Sequence, residues 1–318
     1  MRKEFLIEAK PPEFYNYISG RIKILEIGLL SRETVERISS QDSVSGVKEV
    51  LSETPYRQFV KGETFSSLTE SVFARFDAEL SDMEKFVSQG FINSFFREKT
   101  VFLKIKKWAL LGKGEEENPL FSDLFEFVTT GAGDFPFIFR EMYNEMVLRK
   151  ENPLEAGILL DIYRLKFLSD SARLVNSPLI SDYYSKYTEK SLREILARLF
   201  GFVNSSLVDD VSLEQTLKKL GGMLSDYPLA KDLLSIGDRD GFVEFVKEKI
   251  FSSESGISDS ELRKVLERGR FVNMGVEVVF VYLKRLQREV SELAMILNGK
   301  GNGISGKEIL EKVSAAYE

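Results

Sequence analysis

The stretch VEVVFVYLKRLQREVSELAMILNGKGNGIS, Val276 to Ser305, decides the fold. Val276, Val279, Phe280, Leu283, Leu286, Val290, Leu293, Ile296 and Leu297 recur at steps of three and four, the stripe of an amphipathic helix. No strand alternation competes with it. Lys284, Arg285, Arg288, Glu289 and Glu292 fill the opposite face, and their spacing reads as an ion-paired, solvated surface. Gly299 stands where a helix C-cap is expected, with Lys300 beside it. From Val276 to Asn298 the helix is predicted to run roughly 35 Å. A helix that long needs a partner along its whole length.

The same period recurs upstream. After an N-terminal arm closed by Pro11 and Pro12, residues Phe14, Tyr17, Ile18, Ile22, Leu25 and Leu29 share one helical face. This first helix and the terminal one both lack a mate nearby in sequence and are expected to pack on each other. Ser31 reads as the N-cap of a second helix, Ser45 to Leu51 as a third ended by Thr54-Pro55. Phe65 to Phe86 and Phe91 to Leu111 are predicted as single helices. Asn118-Pro119 pairs a cap with proline at the first helical position. LEAGILLDIYRLKFLSDSARLV, with Ile158, Leu159, Ile162, Leu165, Phe167 and Leu168, reads as a core helix, followed by SDYYSKYTEKSLREILARLFG. Polar links at 204–206, 238–241 and 252–256 break up the remainder, and nothing reads as a strand. The fold is therefore expected to be all-α.

Glycine stops at Gly112, Gly201 and Gly299 fall roughly 90 to 100 residues apart, the scale of a small domain. Each follows a charged, leucine-rich helix, which divides the chain into three expected domains: 1–117, 118–207, and 208–318 with the long terminal helix.

Composition narrows the chemistry. The chain of 318 residues is 43% hydrophobic and contains no cysteine and no histidine. Disulfides, thiolate nucleophiles, Cys/His zinc sites and imidazole bases are excluded. A net charge of −6 argues against a dedicated nucleic-acid binder. No apolar run approaches the ~18 residues of a membrane span. The start MRKEFLIEAKPPEF is basic with no apolar run behind it, so a cytoplasmic location is expected.

The candidate sites reduce to local features. Gly301-Asn302-Gly303-Ile304-Ser305-Gly306 matches G-x-G-x-x-G, but the dinucleotide motif needs a preceding strand, and here a helix precedes it. A loop is the expected reading. Asp209-Asp210 and Asp77, Glu79 and Asp82 raise a helical Mg²⁺-diphosphate enzyme of the isoprenoid class as an alternative. They lack the paired aspartate-rich spacing, and acids at helix starts and on solvated faces account for them. A di-iron bundle is excluded for want of histidine. Glu289 and Glu292, at i and i+3, could touch one pocket, but Lys284, Arg285 and Arg288 favour the ion-paired face. Lys104, Lys106, Lys107 and Lys113 surround Trp108, the single tryptophan, and read as a solvated face over a buried indole rather than a site for lipid headgroups. Tyr15, Tyr17, Tyr183, Tyr184 and Tyr187 read as core or interface tyrosines. No catalytic, cofactor-binding or metal residue is assigned.

Tyr282-Leu283 followed by Glu289-Val290-x-Glu292-Leu293-x-x-Ile296-Leu297-x-Gly-Lys300 resembles the C-terminal signature of the V-type (archaeal A-type) ATPase C subunit family, which includes the eukaryotic d subunit. The helix FYNYISGRIKILEIGLL, with Tyr15, Tyr17, Arg21 and Leu29-Leu30, is similar to that family's opening helix, and Ser52 to Tyr56 (SETPY) resembles its recurring turn. The middle segment has Thr188-x-x-Ser191-Leu192 where the family usually has Asp-x-x-Asn-Leu/Ile, so no individual contact residue is carried over. The resemblance implies three similar helical domains in pseudo-threefold arrangement, forming a funnel-shaped socket. It implies a non-catalytic rotor adaptor at the inner face of the membrane. Such an adaptor receives central-shaft subunits of the D and F type, seats on the proteolipid ring, and needs no cofactor. A generic helical-repeat scaffold is the remaining alternative.

Overall fold

A computed structural model describes residues 4–8, 15–112, 118–252, 257–306 and 308–309. Pro11, Pro12, Phe14, Lys113 and the link residues 253–256 lie outside the described residues. Within them the chain forms helices α1 (Asn16–Ile27), α2 (Arg32–Ser40), α3 (Val44–Ser52), α4 (Phe65–Met83), α5 (Gln89–Phe95), α6 (Glu98–Leu111), α7 (Pro119–Thr130) and α8 (Phe137–Leu148). There follow α9 (Pro153–Leu174), α10 (Pro178–Asn204), α11 (Asp210–Met223), α12 (Pro228–Leu233), α13 (Arg239–Val246), α14 (Asp259–Gly269) and α15 (Val276–Gly301). A 3-10 turn, Pro55–Gln58, and a π-helical turn, Lys247–Phe251, complete the set. No strand occurs among the described residues, and the fold is all-α.

Local chemistry sets most helix starts. Ser31 accepts from the Thr34 amide and Asn118 from the Leu120 amide, with Pro119 opening α7. Thr64 and Ser67 form a reciprocal capping box at α4. Each satisfies amides that the first turn leaves without partners. The expected single helix from Phe91 to Leu111 is instead two, α5 and α6, broken at Phe96-Arg97. Residues 90–96 are all buried, and a straight helix cannot turn the six consecutive side chains of 91–96 into one core.

The glycine stops are corrected in two of three cases. Gly112 does end α6, at φ +81°. Gly201 lies inside α10, which continues to Asn204 because Val203 is still needed in the core. The left-handed terminal residue there is Ser206 (φ 55°), with the Leu207 amide donating to the Phe202 carbonyl at 2.9 Å. Gly299 likewise lies inside α15, which runs on to Gly301. The even spacing of helix-ending glycines therefore does not hold.

The chain separates into two compact units, Met1–Ala9 with Ser88–Ser258, and Lys10–Val87 with Asp259–Glu318. The first of these boundaries falls inside expected segment 1–117 and the last inside 208–318. In the first unit α9 is the centre, buried on two sides. Ile158, Ile162 and Leu165 face a core built with α10 to α13. Leu159, Leu160, Tyr163 and Phe167 face another built with α6 to α8, which also takes Phe5 from the N-terminal arm. All six apolar positions predicted for this helix are buried.

In the second unit α15 and α4 lie side by side and antiparallel. Thr69 meets Asn298, Arg75 meets Glu289, and Glu79 lies beside Tyr282, so numbers rise on one helix as they fall on the other. α1 and α14 cover α15 from further sides. The expected contact between the first and terminal helices is present: Arg285 pairs with Glu26 at 2.9 Å. At 26 residues α15 is roughly 39 Å long. Only Ser291, Met295, Asn298 and the final Gly301 are exposed along it. It is a central helix rather than a surface one.

Candidate functional site

The densest buried charge in the second unit is built on the side of α15 that the sequence assigned to solvent. Glu289 is 7% exposed and Glu292 8%. The expected solvated acidic face is thus overturned for both. Glu289 Oε1 accepts from the Tyr56 hydroxyl at 2.8 Å and from Arg75 of α4 at 3.0 Å, while Oε2 accepts from the Leu30 amide at 2.5 Å. Arg75 is 2% exposed, lies 4.3 Å from the Tyr56 ring centroid, and also donates to the Gly28 carbonyl. One carboxylate therefore ties α15 to α4, to the Pro55–Gln58 turn and to the end of α1.

Burial sets the proton affinities here. Desolvation raises the Glu289 pKa, opposed by Arg75, the Leu30 amide and Tyr56. Burial also raises Tyr56 and Tyr282. Glu292 is pushed up to about 7 by burial, against the pull of Arg288, its partner at 3.1 Å one turn earlier. Glu79 of α4 is raised by burial as well. Both Glu289 oxygens are already engaged and the group is walled in. The cluster holds helices in register: three donors converge on one carboxylate that is 7% exposed.

The other sequence candidates fall into local roles. Asp209 caps α11, accepting from the Ser212 amide at 2.7 Å, and this holds its pKa below the usual carboxylate value. Asp210 pairs with Arg239 at 2.6 Å. Asp82 pairs with Arg21 and Lys85, and Asp77 is exposed. No group of metal-ligating side chains occurs among the described residues. Trp108 is buried, with Phe121 and Phe125 rings edge-on to it, and Lys104 lies over Phe121. Tyr15 and Tyr184 are core residues, and Tyr183 and Tyr187 are stacked and half-buried. Tyr17, expected in a core or interface, is 70% exposed.

The G-x-G-x-x-G loop is a helix terminus. Gly303 adopts φ +76°, its amide donates to the Lys300 carbonyl, and the Ile304 amide donates to Gly299. These two bonds are the Schellman closure that favours glycine at that position. Gly306 has a second reason: a Cβ there would stand 2.1 Å from the Ser39 carbonyl oxygen.

In the first unit, α9 and α10 border an open groove of about 530 Å³ lined by Asp161, Arg164, Tyr187, Ser191, Glu194 and Arg198. Its charges are engaged within the protein. Arg164 pairs with buried Glu98 at 2.7 Å, Arg198 with Asp161, and Glu194 with Lys190. Sequence reasoning singled out Ser191 but neither arginine, because their acidic partners come from other helices or other turns. No protein-family model and no curated protein matches this chain.

Proposed function

We propose that the protein is a non-catalytic rotor adaptor, joining the central shaft of a V/A-type rotary ATPase to its membrane proteolipid ring. One observation carries the reading. The three stretches that resemble the C subunit family lie far apart in sequence, yet each contributes to a single bonded cluster. Glu289 comes from the terminal signature, Tyr56 from the SETPY turn, and Leu30 from the opening helix. Glu289 and Tyr56 are joined side chain to side chain, and Leu30 adds its main-chain amide. Three similar domains arranged as a funnel-shaped socket, placed at the inner membrane face, belong to the same proposal. A torque coupler has to resist shear, and a buried network spanning several helices suits that demand. No helix among the described residues is long and apolar enough to cross a membrane. The test is whether the chain purifies from gently solubilised membranes together with shaft and ring subunits.

A further inference from the structure

The first unit is assembled from two separate pieces of chain. The N-terminal arm belongs to it, residues from Lys10 to Val87 belong to the second unit, and the rest begins at Ser88. The arm is seated on that larger piece as a peptide ligand would be. Phe5 is 2% exposed, and its ring lies 5.2 Å from that of Phe139, edge-on, and 5.8 Å from that of Phe135. Such contacts give one aromatic side chain a defined seat. Side chains at and before α5 hold the main chain on both sides of this anchor. Asn93 donates to the Glu4 carbonyl at 2.7 Å, and the Ser88 hydroxyl accepts from the Glu8 amide at 3.4 Å. Gly90 lies beneath the segment. A Cβ there would stand 2.2 Å from the Leu6 carbonyl oxygen, and its three nearest atoms are all main-chain atoms of Leu6. Gly90 sits in the first turn of α5 without a left-handed backbone, so the close approach of the arm is what requires glycine.

A pocket for one aromatic ring, bonds to the main chain on both sides of it and a glycine floor together make a peptide-binding groove. These seating groups all come from residues after the second-unit segment, so none depends on which copy of the chain supplies the arm. Exchange of an identical element between copies reproduces the same contacts. The covalent connection through residues 10–87 gives the chain's own arm a high effective concentration and favours it when the protein is dilute.

We infer that this groove is also the docking site for the arm of a second copy, so that two chains associate by exchanging arms around Phe5. The inference concerns the first unit and stands apart from the shaft-and-ring reading, whose three stretches lie in the second. The test uses two full-length variants with opposite defects. Phe5→Ser keeps the groove but lacks the anchor, and Gly90→Ala keeps the anchor but fills the groove floor. Each should keep the wild-type helical circular dichroism and sediment as a monomer. Mixed at about 100 μM or above, they should form a one-to-one heterodimer in sedimentation velocity. A synthetic peptide of residues 1–10 stands in for the arm. It should bind Phe5→Ser at least about tenfold more tightly than it binds the wild type, whose own arm competes, and it should dissolve the heterodimer. A mixture that stays monomeric overturns the inference, as does a peptide carrying Phe5→Ala that binds equally well. Loss of the fold in either variant also overturns it, because the arm is then a fixed part of the core rather than an exchangeable one.

Discussion

At the scale of single residues, Glu289 and Arg75 make the sharpest claim. They are buried and joined at 3.0 Å, and removing one partner strands the other charge in a medium that cannot solvate it. Glu289→Ala and Arg75→Leu should each cost about 3–5 kcal/mol of unfolding free energy. The double variant should lose less than the sum, with a coupling of roughly 1–3 kcal/mol by denaturant titration. Additive losses would contradict the pairing. Glu292 makes a second claim, about pH. Its folded pKa of about 7 exceeds the ordinary 4.5, so the native state binds the proton more tightly than the unfolded chain does. The stability linked to this proton is full below about 4.5, declines as pH rises, and is gone above about 7. Glu79 and Glu289 shift in the same direction. Glu292→Gln should therefore gain stability relative to wild type as pH rises through that window, read from denaturant midpoints. A difference that stays constant with pH would show that burial of Glu292 does not govern its proton.

At the scale of elements, the caps and the apolar periods were legible because they are local. Ser31, Asn118-Pro119 and the core positions of α9 follow from neighbours within a turn or two. The polar side of α15 was misread for the opposite reason. Lys284, Arg285 and Arg288 offered partners nearby, but Glu289 takes Tyr56 and Arg75, 233 and 214 positions away. Spacing on one helix cannot reveal a partner on another. The helix ends show the same division. A glycine at a helix end was expected, but which glycine depended on how long the apolar register remained useful to the core. The terminus of α15 is pinned where Lys300 donates to the Gln41 carbonyl at 2.5 Å and the Ser39 hydroxyl donates to the Gly306 carbonyl at 2.9 Å. Gly306→Ala should force these backbones apart and cost about 1–3 kcal/mol by thermal or chemical denaturation. A neutral substitution would show that the close approach to Ser39 is not required.

At the scale of the molecule, the all-α class was readable from periodicity alone, while the grouping of helices was not. The second unit draws its helices from both ends of the chain, with α1, α4 and α14 packed on α15. Composition and loop chemistry mark where helices stop; they carry no information on which distant helices share a core. The one long-range pairing open to sequence was that of the first and terminal helices, each without a mate nearby, and the Arg285–Glu26 pair and the Leu30 amide on Glu289 join those ends. That convergence supports reading the protein as a coupler whose stiffness matters more than any reacting group. The most direct test of this account is affinity purification of the tagged chain from gently solubilised membranes of cells that make a rotary ATPase. The account predicts that shaft and proteolipid-ring subunits elute with it together. A chain that elutes alone, from membranes in which the rest of the complex is intact, would contradict it.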